Sequence, residues 1–348
     1  IGDPEFPGIE GYGNSQVCCI DGKPHHQTLW NALMEVCDDL GVEVLYETRA
    51  TSIVRNPQTN EALGVIADQN GTPVAIKARK GVIVACGGFE ANKEMMAQYY
   101  ESGMPRVGIF GTPYNRGDGF GLVKPFGAQT WHENNVLTYR IGRLSCADAI
   151  DGQAILTDNQ VPTMFTTAAF GSKDFIQVGA DGRRYMYEEV LNTNRHGKIC
   201  YNNCWQPARF PEPCYLIFGQ KAFESTESFV DPSTENGWLQ IHAPQTFMSV
   251  AEEVEKGITV KAETIEELAE KIGLPAANLA KTVETYNANA AENADPEFHR
   301  GTEFFLSDDL SDTPAIEAFD LVPLEAPFYA FEIRPAVLNT CGGAKRLG

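Results

Sequence analysis

The sequence predicts an α/β fold, and three stretches within its first hundred residues carry that expectation. "QTLWNALMEVCDDLGVEVLYE", residues 27–47, places Leu29, Ala32, Leu33, Val36 and Leu40 at helical spacing, then Gly41 as a stop and an apolar strand pattern. "LGVIADQNGTPVAIKARK", residues 63–80, reads as two strands joined by Asn70-Gly71, a two-residue hairpin signal. "GVIVACGG", residues 81–88, is a short apolar run closed by two glycines, the pattern of a buried parallel strand with a tight exit. Helix, strand, hairpin and buried strand in succession describe a sheet domain with an antiparallel excursion.

Further along, a helix-like segment follows the glycine pair, and "NRGDGFGLVKPFGA" at 115–128 forms a second glycine-rich turn leading into an apolar segment. From about Ala128 the periodicity weakens and aromatic and polar residues mix. "TIEELAEKIGLPAANLAKTVETYNANAA" restores a strong helical signal. It opens with the capping box Thr264-x-x-Glu267, breaks at Gly273-Leu274-Pro275, and resumes with Leu279, Val283 and Tyr286 on one face.

Composition narrows the function classes. With 43% hydrophobic and 10% aromatic residues in 348, the chain can bury a proper core. It has no run of 18 apolar residues, so no membrane span is expected. The formal charge of −20 is spread along the chain, which disfavours nucleic acid and anionic membranes as partners because phosphate binding needs clustered Lys and Arg. Nine cysteines, mostly single, read as reduced thiols. Cys200, Cys204 and Cys214 lie close in sequence but lack a fourth ligand, so no metal site is expected.

Glycines at the end of a buried strand supply positive φ and room for a close approach to the main chain. In open α/β sheets that is where ligands bind. A tight strand–helix turn would need the same residues. The 115–128 turn adds to the functional reading, since it can aim backbone N–H groups at a phosphate or a ring edge, with Asp118 accepting from hydroxyls; a merely polar loop has the same composition.

Five motifs in order, "GVIVACGGFEANKEMM", "NRGDGFGLVKPFGA", "DGRRYMYEE", "TIEELAEKIGLPAANLAKTVETYN" and "APFYAFEIRPAVLNTCGG", resemble one family from about residue 27 to the end. It is the superfamily of FAD-dependent fumarate reductases, succinate dehydrogenase flavoproteins and 3-ketosteroid dehydrogenases. The resemblance implies FAD as cofactor and a partial two-dinucleotide-type, glutathione-reductase-like FAD-binding domain carrying an inserted α+β cap. On that basis residues 1–128 belong to the FAD-binding domain, 129–334 to the substrate cap, and 335–348 to the returning FAD-binding domain. Ala85, Cys86, Gly87 and Gly88 would form a cofactor-contacting turn, with Cys86 where the family usually has Thr. Asn115, Gly117 and Asp118 would lie by the flavin's ribityl and ring edge, Gly342 and Gly343 by the closing segment, and Ser52 would offer backbone to the adenine end. The family's opening G-x-G-x-x-G does not occur in this sequence. A fragment of a longer protein is therefore expected.

The resemblance also implies a reaction class: hydride exchange between flavin N5 and an activated C=C or CH–CH bond, with a proton handled by the cap. Fumarate reductases of the family clamp their dicarboxylate with two His and an Arg and use an Arg acid fed by a Glu and a second Arg. Here the corresponding positions fall on Tyr139, Ala168, Gly171, Asn192 and Leu338. Each cationic clamp lost removes a charge-assisted bond of about 1.5–3 kcal/mol, which disfavours a small diacid. The expected substrate is a less charged enone, steroid-like ring or acrylate. Tyr139, Tyr329, Tyr185, Tyr187, Asn192, Arg195 and His196 remain as polar groups, and Arg195, Tyr139, Tyr329, Asn192 and His196 are the catalytic candidates. Tyr185 and Tyr187 could equally be core aromatics, and Arg195 a solvated charge. The resemblance leaves a fumarate-type dicarboxylate reductase and a non-catalytic flavin-binding fragment as alternatives. Expected partners are a small-molecule substrate and an electron-donor protein carrying haem or flavin.

Overall fold

The computed structural model describes residues 19–20, 23–24, 26–100, 108–109, 114–142, 149–150, 153–154, 163–164, 171–186, 188, 198–201, 204–207, 211–228, 249–302 and 320–345. The expected first helix is present as α1, His26–Asp39, closed by Gly41 at φ 65°. The strand expected at 42–47 is absent: Val42–Leu45 joins no sheet among the described residues, with Val42 N donating back to Cys37 O at 2.8 Å, and the first long strand, β1, is Thr48–Arg55. β2 (Ala62–Gln69) and β3 (Thr72–Lys77) complete an antiparallel meander in the order β1-β2-β3. Asn70 and Gly71 both take positive φ, 51° and 82°, between the facing pair Gln69 and Thr72. Such a turn matches the right-handed twist of its strands, which is why Asn-Gly marks it in sequence.

The buried parallel strand expected at 82–85 is also corrected. The segment has no regular secondary structure and joins no sheet among the described residues, and Ile83 is 94% exposed. A parallel strand gains its stability from neighbours on both edges, and no described strand lies beside this one. After the glycine pair, α2 (Lys93–Tyr99) starts at Asn92, whose side chain accepts from Met95 N at 3.1 Å. The second glycine-rich turn delivers α3, Asp118–Val123.

Among the described residues the principal sheet has seven strands and centres on the longest. β4 (Val136–Gly142), β5 (Phe175–Val178), β6 (Cys214–Phe218), β7 (Val260–Ala262) and β8 (Phe328–Thr340) supply five of them. β8 pairs antiparallel with β6, β7 and β4, and parallel with Gly108–Ile109. β5 flanks β6, and Thr163–Met164 flanks β4.

Period-two alternation splits the side chains of β5, β6 and β8 between two cores. Ile176, Val178, Ile217 and Ala330 face α4 (Ile265–Ile272) and α5 (Ala276–Ala291), meeting Leu268, Leu279, Val283 and Tyr286. Phe175, Leu216, Phe218, Phe331 and Ile333 face the opposite way, onto Ala222 and Val250. The α4–α5 break is as the sequence predicts: Gly273 is left-handed at φ 74°, and Leu274 N donates back to Ala269 O at 2.9 Å. Of the capping box, Thr264 accepts from Glu267 N at 3.2 Å, while the Glu267 carboxylate takes the Glu263 N–H rather than that of the cap.

Candidate functional site

The glycine pair packs closely against the protein itself. A side chain at Gly87 would collide with Asn115, and one at Gly88 with Thr340 Oγ1 and Glu90 Oε2. Gly117 N donates to Gly88 O at 2.9 Å, Ala91 N to Asn115 O at 3.0 Å, and Phe89 N to Thr340 Oγ1 at 2.9 Å. Three glycine-bearing segments, 85–91, 114–118 and the end of β8, are thereby drawn together. Gly342 lies so near the backbone of His132 and Glu133 that no side chain would fit, whereas Gly343 has open space where a side chain would stand.

The other side of the turn is exposed. Ala85, Cys86 and Gly87 face solvent, with nothing larger than a thiol on them. Among the described residues, no backbone N–H from Val82 to Gly88 meets an acceptor within the chain. A row of unmatched N–H groups with positive φ at Gly87 can take a polar, flat group against the main chain.

Asp118 is already engaged. Arg49 of β1 donates to both of its oxygens, from Nη2 at 2.8 Å and from Nε at 3.2 Å, and the hydrogen bond to Asp118 raises the Arg49 pKa above its ordinary value. The pair ties β1 to the second glycine turn, close to Ser52. Ser52 is exposed and pairs with Ile66 just past an irregularity at Thr51.

The catalytic candidates divide. Tyr329 is a core side chain, 1% exposed, stacked between Phe223 at 4.4 Å and Phe218 at 5.2 Å. Its hydroxyl donates to Gln220 Oε1 at 2.8 Å, and burial, with Glu263 and Glu224 adding to it, pushes its pKa up to about 12. Packed in this way it reaches no open surface, so its sequence-based candidacy gives way to a structural role. Tyr139 lies on β4 with its Cα opposite Ala336; its side chain, like Asn192, Arg195, His196 and Tyr187, is outside the described residues. Tyr185 donates to Gln177 Oε1 at 3.1 Å and packs beside the second core.

The motif "RRYMYE" does something that its sequence did not announce. Arg184 donates to Glu188 through Nε and Nη2, each at 2.7 Å, and to Asp295 through Nη1 at 3.0 Å and Nη2 at 2.8 Å, with all three side chains at most 3% exposed. Burial pushes the Asp295 carboxyl up, but its bonds and charge contact with Arg184 outweigh that and hold it below the ordinary range. Arg300 joins the cluster 3.7 Å from Glu188, its guanidinium over the Phe175 ring at 4.2 Å. Glu90, Thr340, Arg49 and Asp295 are the residues that sequence reasoning missed. Only Glu90 and Thr340 carried a hint, each standing two residues from a glycine pair.

Converging glycine turns with an exposed, unmatched backbone define a cofactor-cradling protein of mixed helices and sheets. The chain belongs to the FAD binding domain family, whose model matches residues 14–345. FAD is the cofactor of that family, and the exposed N–H row, the small residues on it and the open space at Gly343 fit such a group.

Among relatives, an NADH:acrylate oxidoreductase of Vibrio harveyi is 27% identical over 306 residues, covering 87% of this chain and 25% of its own length. A 3-oxosteroid 1-dehydrogenase of Mycolicibacterium smegmatis is 27% identical over 316 residues, covering 88% of this chain and 50% of its own. The chain thus spans half or less of these relatives. A solved 3-ketosteroid Δ1-dehydrogenase from Sterolibacterium denitrificans superposes with a TM-score of 0.61 at 20% identity, covering 90% of this chain and 52% of that one, a likeness of fold.

Proposed function

We propose that the protein carrying this chain is an FAD-dependent oxidoreductase acting on an activated C=C or CH–CH bond of an enone-, steroid- or acrylate-like substrate. The family match over residues 14–345 carries the reading, supported by relatives named for acrylate and 3-oxosteroid chemistry. In the finer architecture, residues 1–128 and 335–348 form part of a glutathione-reductase-like FAD-binding domain and 129–334 an α+β cap over it. FAD, when bound, supplies the hydride donor or acceptor at N5. The chain's own part is to seat it along Ala85–Gly88, steady the neighbouring turn through Arg49 and Asp118, and provide the proton from the cap. Arg195 is the proposed proton donor, with Tyr139, Asn192 and His196 as the polar groups around the substrate carbonyl.

A dicarboxylate reductase is the second reading, favoured by a relative called a probable fumarate reductase in Shewanella frigidimarina, 23% identical over 323 residues. Leu338 and Tyr139 stand where its clamp would need cations. An electron-donor protein with haem or flavin is the proposed partner.

Turnover by the full-length protein, measured with a reduced artificial donor against fumarate, acrylates, cyclic enones and 3-oxosteroids, tests both readings. Activity on one of the less charged classes is expected. Turnover of fumarate alone would reverse the choice, and a reduced flavin that no acceptor reoxidises would leave a binding protein only.

A further inference from the structure

We infer that Glu90 is the positioning residue of the cofactor site: its carboxylate locks the Gly87-Gly88 turn to the second glycine turn and to the end of β8. The inference rests on the family's FAD reading. Glu90 is 3% exposed and lies directly behind the turn. Its Oε1 accepts from Asn115 Nδ2 at 2.6 Å, and its Oε2 accepts from Thr340 N at 3.2 Å and from Thr340 Oγ1 at 3.1 Å. The same threonine hydroxyl accepts from Phe89 N.

Placement gives the contact its meaning. Glu90 is two residues past Gly88, Asn115 two before Gly117, and Thr340 two before Gly342. A single side chain therefore holds all three glycine segments, joining positions 25 and 250 residues apart in the chain. Three donors converge on it from two sides, and only a carboxylate presents acceptors on both oxygens. Among the described residues no Lys or Arg pairs with Glu90, so the chain gives up solvation of this group for hydrogen bonds alone. Because glycine makes the turn soft, its outer N–H row is as well placed as the lock behind it.

The experiment titrates FAD into the full-length apoprotein and its Glu90→Ala variant by flavin fluorescence. Amide hydrogen exchange at Phe89, Gly117 and Thr340 is followed without ligand. Glu90→Ala is expected to raise the FAD dissociation constant about tenfold or more, and to speed exchange at those three amides first. Glu90→Gln should recover part of both, since its one carbonyl oxygen can keep Thr340 while its amide donates to a turned Asn115 Oδ1. A lower melting temperature with an unchanged FAD constant, or unchanged exchange, overturns the inference. Should Glu90→Ala fail to fold, Thr340→Val removes the hydroxyl contacts to Glu90 and Phe89 N while keeping the Thr340 N–H bond, and the same readouts decide in the same sense. Wild-type protein that takes up no FAD overturns the cofactor reading, and the ligand-free exchange pattern separates that failure from a failure of the lock.

Discussion

Two helices of this molecule carry the same sequence pattern and meet opposite fates. On α5, Leu279, Val283 and Tyr286 are 0–5% exposed, clamped between α4 and the main sheet. On α1, Leu29, Leu33 and Val36 recur at equal spacing and remain 49–55% exposed, with Trp30 at 59%. The contrast runs through whole regions. The sheet around β8 is covered on both faces, whereas the layer of α1, the meander and segment 81–88 leaves Val42, Leu45, Ile76 and Ile83 open. Periodicity says that a helix forms and which side is greasy. It does not say that anything lies against that side.

The largest effect that would break this comparison concerns the buried ions of the well-packed region. Arg184→Met strands Asp295 without its cation and leaves Glu188 only Arg300 at 3.7 Å, and about 3–5 kcal/mol of stability should disappear in a urea melt. The pH dependence has a definite sign. The Asp295 carboxyl titrates lower folded than its unfolded value of about 3.9, so its contribution is complete above that value and lost as pH falls through the folded one. An Asp295→Asn variant should accordingly have a flatter acid limb than the wild type. An acid limb as steep as the wild type's would remove Asp295 from the cause.

The next effect compares the helices directly. Leu279→Ala should cost about 2–5 kcal/mol, the range for truncation in a packed core, and Leu33→Ala no more than about 0.5 kcal/mol in this chain. Equal losses in parallel chemical denaturation would mean that the α1 face is covered after all.

The smallest effect separates core from chemistry within one residue type. Tyr329→Phe loses the hydroxyl bond to Gln220, about 1 kcal/mol, and should leave the pH profile of kcat as it was. A profile that loses a limb would return Tyr329 to the catalytic candidates.

Much of the local architecture was legible in advance. Asn70-Gly71 announced its hairpin and Gly273 its helix stop, while the glycine pair, read as room for a ligand, is met on one side by Asn115, Thr340 and Glu90. The apolar runs 42–47 and 82–85 misled, because a strand is defined by its partners and a partner's position is not written in the strand. Tyr329 misled for a related reason. A phenol between apolar residues has the same sequence whether it faces a substrate or, as here, two stacked rings and a glutamine.

By itself the sequence determined the mixture of helices and sheets, the family and the helices and turns whose signals are local, since these follow from short-range periodicity, turn chemistry and ordered motifs. Tertiary structure alone decided that the glycine pair is pressed against Asn115 and Thr340, that Arg49 holds Asp118, and that Arg184 is shared by Glu188 and Asp295. Some of these contacts join residues more than 250 positions apart. Hydrogen bonds and charge pairs act over a few ångströms of space, and separation along the chain does not reveal which distant groups folding brings within that reach.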